Sequence, residues 1–383
     1  MNRNLSADEM RSLLQKVFAP APTGTRLLVL VDVPDNTVPD SPDWQDRRRI
    51  AAEWFELLGR IGPRLALARV EMLYYQNAGS NNANFPKLVY QWRGAAEKAS
   101  LAALQAEGIS ADLEATLKNT DIILVPAHFS ATAPLKLRAE EYGFKAASMP
   151  GFNRAMMPAL KLDFDKVHEQ VMRIKQRLDE ADAIEMHFIA QHGRPLSLFV
   201  DVNGMCGTAS SGLLRERGSA GNLPSGEAFV VPYEGTLDKP SRTSGKLPVQ
   251  FGDDVIIYDI ERNRAIRVSG ESEYSGIERT KLRGEPAYGN IAEIGFGVLR
   301  RFDIHPVGGI LLDEKLGLHV AFGRSDHFGG AVGPKDFRDA RKIVHIDRVY
   351  IPEIQDKVLV REVIFVYSDG RREVIINNSE YVV

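Results

Sequence analysis

Arg26-Leu-Leu-Val-Leu-Val-Asp32 is a five-residue apolar run with a charge at either end, the pattern of a strand buried on both faces of a parallel sheet. Three more runs of strand length follow in the first half: Arg64-Leu-Ala-Leu-Ala-Arg-Val-Glu-Met-Leu-Tyr-Tyr75, Asp121-Ile-Ile-Leu-Val-Pro126 and Ala183-Ile-Glu-Met-His-Phe-Ile189. Between them, residues 44–59, 88–105 and 164–179 space their apolar side chains three and four apart, which predicts helices covering the sheet. Beyond about residue 204 the pattern changes to Gly-punctuated β segments, at 227–232, 254–260, 265–270, 319–323 and 358–368. The expected fold is an α/β N-terminal domain with a parallel-type sheet over 1–203, followed by a β-rich α+β metal-binding domain over 204–383. The Gly- and Ser-rich segments at 203–207 and 216–224 suit the connection.

Composition narrows the function. The chain has 383 residues, 44% of them hydrophobic and 26% charged, with a net charge of −3, which is ordinary globular matter without a positive field for nucleic acid or anionic membranes. The first residues lack the apolar core of a signal peptide and no run is long enough to span a bilayer, so a cytoplasmic location is expected. A single cysteine, Cys206, excludes internal disulfides and thiolate zinc sites, so a metal must be held by His, Asp and Glu. The proline- and aspartate-rich segment 32–46 reads as an exposed loop.

The eight histidines place the chemistry in the second half. In Lys342-Ile-Val-His-Ile-Asp-Arg-Val-Tyr350 a period of two puts His345 and Asp347 on one face of a strand, a two-ligand clamp. His319 opens an apolar strand just after the acidic turn Asp313-Glu314. Glu293, in Asn290-Ile-Ala-Glu-Ile-Gly-Phe-Gly297, and Glu227, in Gly226-Glu-Ala-Phe-Val-Val-Pro232, are carboxylates in apolar strands. Buried there, each needs a cation, and a metal is the simplest one. Glu227, Glu293 and Asp347 together bring three negative charges, which favours two divalent ions over one. Gly295-x-Gly297 lacks the third glycine and the helix of a dinucleotide fingerprint. Cys206, His128, His187 and His192 read as packing residues, while His305 and His327 flank the metal region.

Asn222-Leu-Pro-x-Gly-Glu-x-Phe, Ala292-Glu-Ile-Gly-x-Gly, Asp313-Glu-Lys-x-Gly-x-His-x-Ala-Phe-Gly and His345-x-Asp347 resemble, in order and approximate spacing, the motifs of the M29 metallopeptidases, the thermophilic-aminopeptidase-T-like enzymes. Asp121-Ile-Ile-Leu, Ser130-Ala-Thr-Ala and Tyr142-Gly-Phe-Lys-Ala-Ala-Ser-Met-Pro-Gly151 extend the resemblance into the first domain. It implies an aminopeptidase acting on short peptides or small amides, a homodimer, and a pair of divalent ions (Zn, Co or Mn) on Glu227, Glu293, His319, His345 and Asp347. Glu314 would be the general base. The family's site tyrosine has no counterpart close after His319, where Arg324-Ser-Asp-His327 stands, so Tyr350 is the candidate for that role, with Tyr233 as the other. The scaffold is also similar to that of the 2,5-dihydroxypyridine dioxygenases, which hold a single Fe(II) with a histidine where Glu293 stands; a metal-binding protein without turnover is the third reading.

Overall fold

The computed structural model describes residues 4–18, 24–236 and 238–383. Contacts divide the chain into two compact units, one of Met1–His168, Ser210–Ser225 and Val307–Leu312, the other of Glu169–Ala209, Gly226–Pro306 and Asp313–Val383. The fold class is the expected one, α/β followed by β-rich. No helix among the described residues is long and apolar enough to cross a membrane.

The first unit is built on a seven-stranded sheet in the order Ala220–Asn222, Lys145–Ser148, Ile122–Val125, Thr25–Val33, Leu67–Gln76, Leu88–Gln91, Ile109–Asp112. The first five run parallel and the last two add antiparallel at one edge. Thr25–Val33 lies in the middle, and its apolar run is buried throughout, as its composition requires. Asp32, at its carboxyl end, accepts the backbone N–H groups of His128 and Phe129 and the Trp44 indole N–H. Burial raises this carboxyl to about 6 against those three donors. The segment read as an exposed loop is a turn between this strand and the next helix: Asp35 accepts from the Thr37 and Val38 amides, and Ser41 caps the helix Pro42–Ile61, which takes in the segment's last residues.

Two sequence expectations are corrected here. Residues 88–105 are not one helix but the strand Leu88–Gln91, a short 3-10 turn and the helix Leu101–Glu107. Val89 and Tyr90 favour a strand, and Gly94 breaks the helical pattern. The Ala181–Ala190 strand exists where expected but does not join the parallel sheet. It pairs antiparallel with Arg194–Asp201 and Val358–Tyr367 in the second unit.

That unit stacks an eight-stranded antiparallel sheet on a five-stranded one. The smaller sheet has the order His345–Tyr350, Leu318–Gly323, Ile291–Gly297, Glu227–Val230, Thr208–Ser210. Its inner face meets the large sheet through aromatic contacts: Phe296 on Phe365 and Tyr350 on Phe188, each with ring centroids 5.3 Å apart, and Phe322 on Tyr258 at 5.0 Å. Each large apolar side chain buried there contributes about 1.5–3 kcal/mol, which is what holds the small sheet in place.

Candidate metal centre

The register of the small sheet decides where each candidate residue points. Gly295 lies opposite His319 and Glu293 opposite Ala321, while Ala321 in turn faces Asp347 and Gly323 faces His345. On the other side Glu227 pairs with Gly297. Directly opposed residues of an antiparallel pair share a face, and alternate residues of one strand do too. Glu227, Glu293, His319, His345 and Asp347 therefore all stand on the face turned away from the aromatic layer. Ile294, Phe296, Val320 and Phe322 fill the inner face and are buried.

Two glycines make room for this arrangement. A Cβ on Gly295 would sit 2.0 Å from His319 Nε2, and one on Gly297 would sit 2.1 Å from the Lys315 carbonyl carbon. The alternation Glu293-Ile-Gly-Phe-Gly297 is thus a strand whose outward positions carry one carboxylate and then two vacancies that the imidazole and the Lys315 backbone fill.

Ligand atoms within 4.8 Å of one another form two groups, Glu227 with Glu293 and His319, and Glu293 with His345 and Asp347. Glu293 belongs to both. Its Oε1 is 3.4 Å from His319 Nε2 and its Oε2 is 3.2 Å from His345 Nε2. His319 Nε2 is also 3.6 Å from Glu227 Oε2, and His345 Nε2 3.6 Å from Asp347 Oδ1. Each imidazole is fixed from behind: His319 Nδ1 donates to the Gly317 carbonyl at 3.4 Å and His345 Nδ1 to the Arg324 carbonyl at 2.9 Å. A carbonyl only accepts, so Nδ1 carries the proton and Nε2 is left facing the carboxylates.

Lys315 is the residue that sequence reasoning missed. It is 2% exposed, and its ammonium donates to both Glu227 Oε1 and Glu314 Oε1. The cation that Glu227 needs on burial is therefore supplied in part by the chain. A lysine beside an acidic turn and ahead of an apolar strand was the available signal. Glu227 Oε2 is nonetheless buried without a hydrogen-bond partner, 3.6 Å from His319 Nε2.

The electrostatics follow from burial and neighbours. Burial works to raise Glu293, but the two histidines beside it bring it down to about 2. Asp347 is also lowered against burial, by His345 above all. Burial would push the His319 imidazole down, yet Glu293, Glu227 and Asp347 hold it up at about 9. Glu314 goes the other way: burial raises it and, although Lys315 pulls it down, Asp347 and Glu227 help keep it at about 8. The buried Glu227 is likewise raised. Acceptors crowded this closely need a positive charge between them, and the mixed oxygen and imidazole donors suit a divalent ion.

The five expected ligands are thus brought together, with Glu314 beside them. Tyr350 is not: it stands on the inner face, packs on Phe188 and donates its hydroxyl to the Pro248 carbonyl at 2.8 Å. The six-residue strand gives the reason, since 350 has the opposite parity to 345 and 347. Tyr233 donates to the Lys239 carbonyl. Of the two flanking histidines, His305 is an exposed partner of Asp303, while His327 packs edge-on to His345 with ring centroids 5.0 Å apart. His327 Nδ1 is buried and makes no hydrogen bond. Cys206 is exposed.

No family profile and no curated protein matches the chain. Solved structures do. A 2,5-dihydroxypyridine dioxygenase from Pseudomonas putida KT2440 superposes with a TM-score of 0.61 at 15% identity, over 99% of this chain and 98% of that one. Wild-type AmpT from Thermus thermophilus superposes with a TM-score of 0.53 at 16% identity, over 98% of this chain and 99% of that one. At such identities the shared property is the fold, along the whole length of each chain.

Proposed function

We propose that this protein is a metal-dependent hydrolase of the aminopeptidase type, acting on short peptides or small amides. The observation that carries the reading is the pair of ligand groups sharing Glu293, each with an imidazole whose Nε2 is aimed at carboxylates by a backbone carbonyl behind it. Glu227, Glu293 and His319 would hold one ion, and Glu293, His345 and Asp347 a second. Zn, Co and Mn all accept such donors. Divalent ions held there would supply Lewis acidity toward a scissile carbonyl and a bound water of lowered pKa.

The chain's own residues supply the rest. Glu314 is raised to about 8 and stands next to the ligands, so near neutral pH it exchanges its proton readily, giving it to a leaving amine in the protonated form and taking one from water in the ionised form. Lys315 donates to both Glu314 and Glu227 and so opposes the burial that raises them. With Glu314 ionised, four carboxylates against one ammonium leave three negative charges, which two divalent ions and one anion would neutralise.

One observation favours a second reading, a mononuclear Fe(II) ring-cleaving dioxygenase. Lys315 already occupies one oxygen of Glu227, and if Glu314 keeps its proton a single divalent ion balances the group. Glu293, His345 and Asp347 would then be the ligand set. Metal content per chain separates the two. Two ions in the wild type, falling to one in Glu227→Ala, together with oxygen-independent release of an amine from aminoacyl substrates, support the hydrolase. One iron kept in Glu227→Ala, with oxygen uptake on a dihydroxypyridine, overturns it.

A further inference from the structure

The edge strand Arg264–Ser269 and the helix Glu273–Gly284, both in the second unit, enclose a groove of about 470 Å³ lined by Arg264, Arg267, Arg279 and Arg283 over Ala265, Val268, Leu282 and Pro286. Four guanidinium groups around one apolar floor are unexpected in a chain of net charge −3. The register shows how they come together. Pairing with the neighbouring strand shifts between Asp259–Arg267 and Ile260–Ala265, which leaves Ile266 as an extra residue. This bulge buries both Ala265 and Val268 and leaves Arg264, Ile266 and Arg267 exposed, where strict alternation would have put Arg264 and Arg267 on opposite faces. Across the groove, Arg279 and Arg283 are one helical turn apart and so share a face, an arrangement of like charges that is unfavourable unless an anion offsets it.

Little within the chain offsets them. Arg267 pairs with Asp259, which Lys246 shares. Arg279 is spent on backbone, donating to the Gly270 carbonyl at 2.8 Å. Among the described residues, Arg264, Arg279 and Arg283 have no carboxylate partner. Arg338 adds a fifth guanidinium near the helix end, 3.4 Å from the Arg283 and Gly284 carbonyls. The groove is within the size range of small-molecule sites. Planar guanidinium forks match phosphate oxygens in pairs, and the apolar floor suits an uncharged portion of the same molecule.

We infer that this groove is a binding site for a small polyanion, an oligophosphate or oligophosphate ester, separate from the metal centre in the residues it uses. Inorganic tripolyphosphate is the probe, titrated calorimetrically into the metal-loaded protein at fixed ionic strength. The expected result is one saturable site per chain, weakened at least tenfold in an Arg264→Ala/Arg283→Ala double variant whose unfolding midpoint and metal content match the wild type. Both side chains are exposed and, among the described residues, neither makes an ion pair. Equal affinity in the double variant would place the anion elsewhere, the metal centre included, and would overturn the inference. So would the absence of saturable binding in the wild type, or an equal loss in Arg361→Ala, an exposed arginine outside the groove, since either marks simple charge screening.

Discussion

Glu293 reaches His345 Nε2 with one carboxylate oxygen, at 3.2 Å, while its other oxygen faces His319. Every other ligand serves one group; this one serves both. Glu293→Ala is therefore expected to empty both groups and to lower turnover by more than about 100-fold, the range seen when even the supports of metal ligands are lost. His345→Ala should empty only its own group. Elemental analysis of the two variants beside the wild type checks this, and equal metal loss in both would contradict the shared-carboxylate geometry.

Gly295→Ala tests the face on which the ligands stand. The added Cβ would lie 2.0 Å from His319 Nε2, so the ring must leave its position. The expected cost in stability is about 1–3 kcal/mol, with loss of the His319 ion while the His345 and Asp347 group is retained. Denaturant unfolding together with metal content measures both.

In metal-free protein, Lys315→Met should destabilise by about 3–5 kcal/mol, because it strands two buried carboxyls without their cation. Part of that loss should return with saturating metal, which supplies the missing charge. An unfolding midpoint in chelator that matches the wild type would show that the ammonium is dispensable.

The pH dependence follows from two raised groups. His319 is held at about 9 against an ordinary 6.5, and Glu314 at about 8 against 4.5. Both bind their protons more tightly folded than unfolded. The stability they contribute is full below the unfolded values and is lost as pH rises, from about 4.5 to 8 for Glu314 and from about 6.5 to 9 for His319. Metal-free protein should thus become less stable between pH 6 and 9, while metal affinity rises over the same interval because the ion displaces the imidazole proton. Thermal scans with chelator and metal titrations at several pH values follow the two opposed trends.

Tyr350→Phe removes a hydroxyl that donates to the Pro248 carbonyl and touches none of the ligands. About 1 kcal/mol of stability is expected to go, with kcat within twofold of the wild type. A rate loss of tenfold or more would return Tyr350 to the chemistry.

That residue also shows what the sequence made legible. His345 and Asp347 were found by period two, and the same period, carried three residues further, excludes Tyr350. Glu227 and Glu293 stood out because a carboxylate in an apolar strand demands a counter-charge; assigning that charge wholly to metal is what hid Lys315. The Ala181–Ala190 run identified a strand but not its sheet, because its partner, Val358–Tyr367, lies far along the chain and an apolar run carries no record of what it pairs with. Residues 88–105 failed for a local reason: apolar spacing suggested a helix where Val89, Tyr90 and Gly94 favour an edge hairpin. The bulge at Ile266, on which the arginine groove depends, has no marker in the sequence at all.

Lys315 also bears on how the acids come together as the chain folds. Folding has to bring Glu227, Glu293 and Asp347 together on one sheet face with Glu314 beside them, and mutual repulsion would oppose that step. An ammonium in the next residue after Glu314 travels with the chain and arrives with the acids, so part of their repulsion is cancelled from within as the sheet closes.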